Sequence, residues 1–339
     1  MRARSRLSAD VRWLLPLLAS CGAAMVLYAQ TIPASLILVS TGWPPFTNPA
    51  GQPRLALDLV ETALGRAGLA AETRFVPEED FTRALLSGPF DGSASAWRDT
   101  EREQALIFSQ PYLENRLVLV GRSGADVSAR ALGQLQAKRV AIVGGYAYGD
   151  GVHLTAPVFV RSRGEEHSLT LLLDGSVDYA LIDDLVVHHL RHHYPQEVRT
   201  RLQIGSTPLV RRELHLVVRR SRADAASIVA RFNEQLRGMV ADRTYHRLLH
   251  VDWIRADVDG DGVAEYVPSS DFAGDAPPLR AYSLSMGNDH DADPQPQTGF
   301  YIGGTIYRDW ASVPERYKVV DPHYPDPRQS TASIFTFRW

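Results

Sequence analysis

The chain has 339 residues, of which 45% are hydrophobic and 22% are charged, a composition typical of a globular protein with enough apolar mass for more than one core. The formal net charge is only -3, which argues against a nucleic-acid-binding protein and against a polybasic membrane partner. The single cysteine, Cys21, lies near the N-terminus, so disulfides and Cys-based metal or catalytic sites are excluded from the rest of the chain.

The N-terminus has the pattern of an export signal. Four arginines within the first 12 residues precede an apolar run over 13–29, the order of charge and hydrophobicity found in signal peptides. Leu27–Ala29 forms an acceptable cleavage site, whereas Leu18–Cys21 resembles a bacterial lipobox, and the run is close to the ~20 residues that span a bilayer. Cleavage after Ala29, lipidation of Cys21 and a retained anchor stay open, and all three predict a periplasmic body.

From residue 36 onward, strand-like and helix-like patterns alternate. Buried-strand runs occur at 36–41, 72–76, 117–120, 139–143, 158–160, 179–182 and 214–218. Helical spacing of apolar residues predicts helices over 55–67, 81–86, 167–173, 223–239 and 245–249. This order indicates an α/β protein with parallel strands, which we interpret as two α/β units, the second inserted in the first. Ligands of such sheets bind at the carboxyl ends of strands, so we expect the site in the cleft between the units.

The composition changes after Trp253. Asp, Gly and Pro become dense up to about residue 298, and short aromatic strand-like runs follow at 300–307 and 333–337. We therefore predict a small β-rich C-terminal module over 254–339.

One local motif lies at the start of this module. It reads DVDGDGVAE, and its expected ligands are the side chains of Asp257, Asp259, Asp261 and Glu265 with the carbonyl of Val263. Carboxylates at these spacings around a glycine turn can bind a hard cation, and the spacing resembles the short calcium loops of integrin-like β-propeller repeats. We expect a structural Ca²⁺ here; the alternative is an acidic, glycine-rich turn without a metal.

Five short runs carry a resemblance to a known family. They are Gly42–Phe46, Leu85–Asp91, Thr100–Tyr112, Leu173–Asp184 and Ala241–Tyr245. In this order and spacing, over about 34–253, the chain resembles the extracellular solute-binding proteins of family 3, which serve polar amino-acid ABC transporters. The resemblance implies a two-lobed periplasmic-binding-protein fold of type II that closes on its solute. The expected parts are a signal peptide or anchor at 1–29, a first lobe at 30–120 and 212–253, a second lobe at 121–211, and the C-terminal module at 254–339.

The resemblance also implies three ligand contacts. Arg102 lies where family members pair an arginine with the α-carboxylate of the solute, a role that suits its bidentate guanidinium. Asp183 lies where a carboxylate holds the α-amino group, and Trp43 lies where an aromatic side chain packs on the solute. The alternatives are an Arg102 that bridges the start of its helix, an Asp183 that caps the next helix, and a Trp43 that packs at the hinge.

The sequence departs from the family pattern around these residues. Trp97 replaces a small residue before Arg102, and Tyr146 and Tyr148 replace small hydroxyl residues in the second lobe. We therefore add Trp97 and Tyr146 to the predicted binding residues. A pocket with these rings, an Arg and an Asp suits an aromatic, cyclic or cationic solute as well as a standard amino acid.

The functional expectation is a substrate-binding component of an ABC importer. No nucleophile elbow, His-Glu-x-x-His pair or phosphate-binding loop occurs, so we do not expect an enzyme. We expect a small-molecule solute, no cofactor for binding, permease subunits of the inner membrane as partners, no nucleic acid and a monomeric protein. Two alternatives stay open: an extracytoplasmic sensor or scaffold that uses the same clamp, and a small-carboxylate lyase on this fold.

Overall fold

The computed structural model describes residues 35–149, 157–249, 253–259, 261, 263–271, 282–283 and 299–319. Its strands are β1 Ser35–Ser40, β2 Ala70–Phe75, β3 Gly92–Trp97, β4 Leu106–Phe108, β5 Leu113–Arg122, β6 Arg139–Val143, β7 Val158–Ser162, β8 Tyr179–Asp183, β9 Leu202–Arg219, β10 Trp253–Ala256, β11 Glu265–Pro268, β12 Tyr282–Ser283, β13 Phe300–Ile302 and β14 Thr305–Tyr307. Its helices are α1 Leu55–Arg66, α2 Phe81–Ser87, α3 Thr100–Ala105, α4 Glu165–Leu173, α5 Asp184–His193, α6 Pro195–Arg201, α7 Ala225–Ala241 and α8 Thr244–Leu249.

The predicted alternation of strands and helices is confirmed. In β1, Leu36, Leu38 and Val39 are fully buried, as expected of a central parallel strand that is covered on both faces. The helix α1 buries one face against the sheet, and Gly68 follows its end at a φ of +70°, a conformation that glycine adopts without steric cost. Local pattern and tertiary packing therefore agree in this first βαβ unit.

The strands form one curled sheet that joins two α/β units. Its order is β2-β1-β3-β9-β5-β8-β6-β7, with β4 also paired to β9. The outer strands of each unit pair parallel, β2 with β1 and β1 with β3 in the first and β7 with β6 and β6 with β8 in the second. The central strands β5 and β9 pair antiparallel with each other and with their neighbours β8 and β3. The chain enters the second unit through β5 and returns through β9, so the second unit is inserted in the first, as predicted.

The sequence patterns recover only part of the two central strands. The run 117–120 lies within a β5 of 10 residues, and the run 214–218 is the end of a β9 of 18 residues. The strand β3, for which the patterns gave no prediction, lies between β1 and β9 and is buried over its whole length. Tertiary pairing rather than local propensity extends these strands.

The C-terminal module is a second, smaller sheet. Its described strands have the order β12-β10-β11-β13-β14, and the side chains of Trp253, Tyr266, Phe300 and Ile302 are buried in its core. It contacts the first unit through α8, where the Nε2 of buried His246 lies 2.9 Å from the carbonyl oxygen of Val267. The β-rich module is thus confirmed for the described residues, whereas the predicted run 333–337 lies outside them.

The predictions for the N-terminus also fall outside the described residues, since Cys21 and Ala29 precede Ser35. Within the described ranges, no helix combines the length and the apolar character that a bilayer crossing requires. The predicted domain boundaries at 121, 212 and 254 stay predictions.

Candidate functional site

The side chains of interest follow the carboxyl ends of parallel strands in both units. Trp43 lies in the turn after β1 and Trp97 ends β3 in the first unit, while Tyr146 follows β6 and Asp183 ends β8 in the second. Residues from both units therefore converge on one cleft, as expected for open α/β sheets.

Trp43 connects the two units directly. Its backbone carbonyl accepts hydrogen bonds from the N–H groups of Phe46 and Thr47, at 2.7 and 2.8 Å, which close a tight turn after β1. Its indole Nε1 donates to Oε1 of Glu165, at 2.9 Å, across the cleft. Both side chains are buried, so the hydrogen bond is shielded from competing water.

Four aromatic side chains, Trp43, Trp97, Tyr146 and Tyr148, form what we call the aromatic cluster. The ring centroids of Trp43 and Trp97 are 5.7 Å apart, and Tyr146 lies 5.2 Å from Trp43 and 5.3 Å from Trp97. These contacts are edge-to-face, the arrangement that aromatic pairs favour. Tyr148 lies 5.5 Å from Trp97, and its hydroxyl accepts the N–H of Val143 at 2.9 Å. The cluster holds the two units together at the cleft.

Arg102 is buried, with only 4% of its surface exposed. Its Nη1 donates to the carbonyl of Trp97 at 3.0 Å, its Nη2 lies 3.3 Å from the hydroxyl of Thr82, and its Nε pairs with Asp99 at 3.2 Å. Asp99 also caps α3 by accepting the N–H of Arg102. Burial lowers the pKa of Arg102 from its usual value, and Asp99 opposes this effect. The ion pair at the helix start is therefore made with Asp99.

Asp183 is also buried and caps α5. One oxygen accepts the N–H of Leu185 at 2.8 Å, and the other accepts the amide of Asn115 at 3.0 Å. Asn115 in turn accepts the indole N–H of Trp97 at 2.8 Å, which links the two units again. Desolvation, followed by the neighbouring charge of Asp184, raises the pKa of Asp183 well above its usual range. The contacts of Arg102 and Asp183 are made with protein groups, and the solute-binding role of each stays a prediction.

The sequence patterns did not predict two carboxyl groups of the cleft, those of Glu78 and Glu165. Glu78 lies in the turn between β2 and α2, and its side chain passes over Gly145 of the second unit. Glu165 is the first residue of α4 and is 6% exposed. Burial, with the charge of Glu165 as second cause, raises the pKa of Glu78 to about 8, and burial raises the pKa of Glu165 to about 7. Their only sequence signal is a position directly after a strand or at a helix start.

These side chains leave a cavity of about 40 Å³, far below the roughly 300–1,000 Å³ of small-molecule pockets. Its lining comprises Thr41, Trp43, Glu78, Phe81, Ser95, Trp97, Arg102, Gly145, Tyr146, Ala147 and Leu214. A solute therefore enters only if the aromatic cluster separates. A larger groove of about 850 Å³ lies elsewhere, but its charged side chains form ion pairs such as Arg98–Glu103 and Arg211–Glu114, so we place the site in the cleft.

The acidic loop of the C-terminal module gathers three of its predicted ligands. Carboxylate oxygens of Asp257, Asp259 and Glu265 lie within 4.8 Å of one another, a separation that fits two ligands on one Ca²⁺ at 2.3–2.6 Å each. The carboxylate of Asp261 instead accepts the N–H of Val263 at 2.7 Å and is not part of this group. The donor set is all oxygen, which suits a hard cation.

The chain matches the sequence model of a known protein family. The model of the bacterial extracellular solute-binding proteins, family 3, matches residues 36–255. No curated protein matches the sequence.

Several solved structures share the fold. The GluR0 ligand-binding core from Nostoc punctiforme, in complex with L-glutamate, is 18% identical with a TM-score of 0.53, over 63% of this chain and 96% of that one. ArgBP from T. maritima is 21% identical with a TM-score of 0.53, over 64% and 94% of the two chains. The amino acid ABC transporter substrate-binding protein AbpA from Streptococcus pneumoniae, bound to L-arginine, is 15% identical with a TM-score of 0.53, over 64% and 93%.

Proposed function

Because the chain belongs to the bacterial extracellular solute-binding proteins of family 3, we propose that it binds an amino acid or an amino-acid-like solute between its lobes and delivers it to the permease of an ABC importer. The observation that carries this proposal is the cleft itself. Trp43 of the first lobe is hydrogen bonded to Glu165 of the second, and the buried Arg102 lines the cavity beside them. AbpA, which shares this fold, is a substrate-binding protein of an amino acid ABC transporter.

In this proposal Arg102 binds the α-carboxylate and Asp183 the α-amino group of the solute, while Trp43, Trp97 and Tyr146 contact the rest. Binding replaces the contacts that Arg102 makes with Thr82 and the Trp97 carbonyl by a bidentate pair with the carboxylate. A solute that touches both lobes gains these contacts only in the closed form, so it shifts the lobes toward closure.

Isothermal titration with the twenty amino acids and their amine and carboxylate analogues tests the proposal. We expect one class to bind, and we expect Arg102→Lys to weaken it roughly tenfold to a hundredfold, since lysine keeps the charge but loses the bidentate geometry. Arg98→Lys, at an exposed neighbour, is the matched control and leaves the affinity unchanged. Equal affinity of the Arg102→Lys variant and the parent would refute the role of Arg102, and no binding by any probe would refute the amino-acid solute.

A second candidate function is an extracytoplasmic sensor or scaffold. The observation that favours it is the C-terminal module, which packs on α8 of the first lobe through His246 and Val267. Copurification from membranes distinguishes the two, since permease subunits support import and a signalling or envelope partner supports sensing. Turnover of a small carboxylate by the purified protein would instead support a lyase.

We also propose that the acidic loop binds Ca²⁺ and thereby stabilises the C-terminal module. Asp257, Asp259 and Glu265 supply the side-chain ligands, and Asp261 and Val263 complete the site if the loop rearranges on binding. At a hundredfold excess over its Kd, calcium would add about 2.7 kcal/mol to the free energy of unfolding.

Thermal unfolding of the full chain with Ca²⁺, with Mg²⁺ and with chelator measures this effect. Calcium should raise the Tm of the parent and not of Asp259→Asn, whereas Mg²⁺ should have little effect because it demands a tighter octahedral site. The same Tm in all three conditions would refute the calcium site.

A further inference from the structure

We propose that the solute of this cleft carries a cationic group other than an α-ammonium, such as a side-chain ammonium or guanidinium, which binds between the carboxyl groups of Glu78 and Glu165 beside the rings of Trp43 and Tyr146. The inference rests on the proposed function, in that it specifies the chemistry of the solute in the same cleft.

The two carboxyl groups reach one place from opposite lobes. The side chain of Glu78 lies against Gly145, with its Cγ and Oε1 3.6 and 3.8 Å from the position that a Cβ would take there. Glu165 accepts the indole N–H of Trp43 at 2.9 Å, and Trp43 is 5.2 Å from Tyr146, the residue after Gly145. Burial and then the charges of both carboxyl groups raise the pKa of the Tyr146 phenol, so both carboxyl groups lie near it.

Neither carboxyl group forms an ion pair with a Lys or Arg within the described ranges. Glu78 lines the cavity together with Arg102, and Arg102 is paired with Asp99. Desolvation without a positive partner raises the pKa of both carboxyl groups, and the charge of Glu165 raises the pKa of Glu78 further. Burying two carboxyl groups in this way is unfavourable, and a bound cation would compensate both.

The groups around the two carboxyls come from several elements. Glu79 adjoins Glu78 in its turn, Arg102 lies on α3, and the phenols of Tyr146 and Tyr148 lie in the loop after β6. The charge of Asp183, at the end of β8, adds to the rise in the pKa of Tyr146. The charge of Arg161, on β7, opposes the rise in the pKa of Tyr148.

The remaining walls also suit a cation. Trp43, Trp97 and Tyr146 line the cavity together with Phe81, and aromatic rings attract ammonium and guanidinium groups most strongly where water is excluded. An anionic group would meet the carboxyl group of Glu78 in the cavity and that of Glu165 beside Trp43, and an uncharged group would leave both without compensation. Arg102 in the same cavity offers a partner for a carboxylate elsewhere on the solute, so a cationic amino acid fits both ends.

Titration calorimetry of the full chain tests this with matched probes. They are L-arginine and L-lysine, their counterparts with uncharged side chains L-citrulline and L-norleucine, the acidic L-glutamate, and agmatine, which is a cation without a carboxylate. We expect the cationic probes to bind roughly ten- to a hundredfold more tightly than their uncharged counterparts, the effect of a charged hydrogen bond. We expect their affinity to rise from pH 6 to pH 8 with release of protons, because a bound cation favours the ionised carboxylates.

Two variants assign the effect to the named residues. Glu78→Gln and Glu165→Gln should each reduce the preference for the cation and flatten its pH dependence, while Glu79→Gln, at an exposed neighbour of Glu78, should retain both. Thermal unfolding without solute confirms that the variants fold.

The outcomes separate this inference from the proposed function. Binding of L-glutamate, L-citrulline or L-norleucine as tightly as the cationic probes overturns the inference and leaves the proposed function intact. Binding of agmatine without any amino acid supports the inference and overturns the amino-acid solute. If none of these probes binds but another of the twenty amino acids does, the inference is overturned and the proposed function stands, whereas no binding by any of them overturns both.

Discussion

His246 makes the docking of the C-terminal module sensitive to acid. The side chain is fully buried in α8, and its Nε2–H donates to the carbonyl of Val267 in β11. Burial lowers its pKa from 6.5 to about 4, with Arg243 and Arg247 acting in the same direction. The folded protein therefore keeps this imidazole neutral at a pH at which the unfolded chain has already bound a proton.

The sign of the pH effect follows from that difference. Above pH 6.5 both states are neutral and the effect is absent, whereas between pH 6.5 and 4 the unfolded state binds more protons and the free energy of unfolding falls with the pH. A shift from 6.5 to about 4 corresponds to a loss on the order of 3 kcal/mol at pH 4. That is a large share of the 5–15 kcal/mol by which proteins are stable.

Urea unfolding of the full chain between pH 4 and 8 measures the loss. His246→Gln cannot titrate but can still donate an N–H to Val267, so its stability should fall less steeply below pH 6.5 than that of the parent. His167→Gln replaces a half-buried histidine in the first turn of α4, away from the C-terminal module, and should retain the slope of the parent. Equal slopes for His246→Gln and the parent would refute a neutral, buried His246 as the cause.

Two further predictions concern packing. A Cβ at Gly92 would lie 1.9 Å from the carbonyl oxygen of Val217, so Gly92→Ala should lower the Tm sharply or prevent folding. The control is Gly65→Ala on α1, where no atom lies within 4 Å of the added Cβ, and it should leave the Tm unchanged or raise it. A normal Tm for Gly92→Ala would contradict the strand pairing of β3 with β9. Trp43→Phe removes the N–H that Glu165 accepts and should cost about 1–3 kcal/mol of unfolding free energy, measured in urea at pH 8; a loss below 0.5 kcal/mol would mean that the hydrogen bond does not hold the lobes.

The sequence predicts the elements whose residues alternate or repeat locally. The helix α1 and the strands β1, β6 and β8 follow from apolar patterns, because their buried residues form local apolar runs. The first half of β5 contains Glu114, Asn115 and Arg116, all buried. This polar run lacks the apolar pattern that predicts a buried strand. Its partner in β9 is about a hundred residues away, so only the folded chain shows it.

The candidate site shows the same limit. Trp43, Trp97 and Tyr146 are brought together at one cleft; Trp43 and Tyr146 each follow a strand that the apolar pattern predicts, whereas Trp97 ends β3, which the pattern missed. The pairing of Trp43 with Glu165 joins residues 122 positions apart, and no spacing within the sequence indicates it. Resemblance to a family pointed to Arg102 and Asp183, but it does not reveal that Asp99 and Asn115 already occupy their polar atoms.

The position of the C-terminal module has a mechanical consequence. Because β11 contacts α8 through Val267 and His246, we expect the module to move with the lobe that carries Trp43 and not with the lobe that carries Glu165. Only β5 and β9 run from one lobe to the other in the described chain. A partner that binds the module would thus be attached to the first lobe only. The second lobe could still move to close on the solute, so attachment and solute binding need not compete.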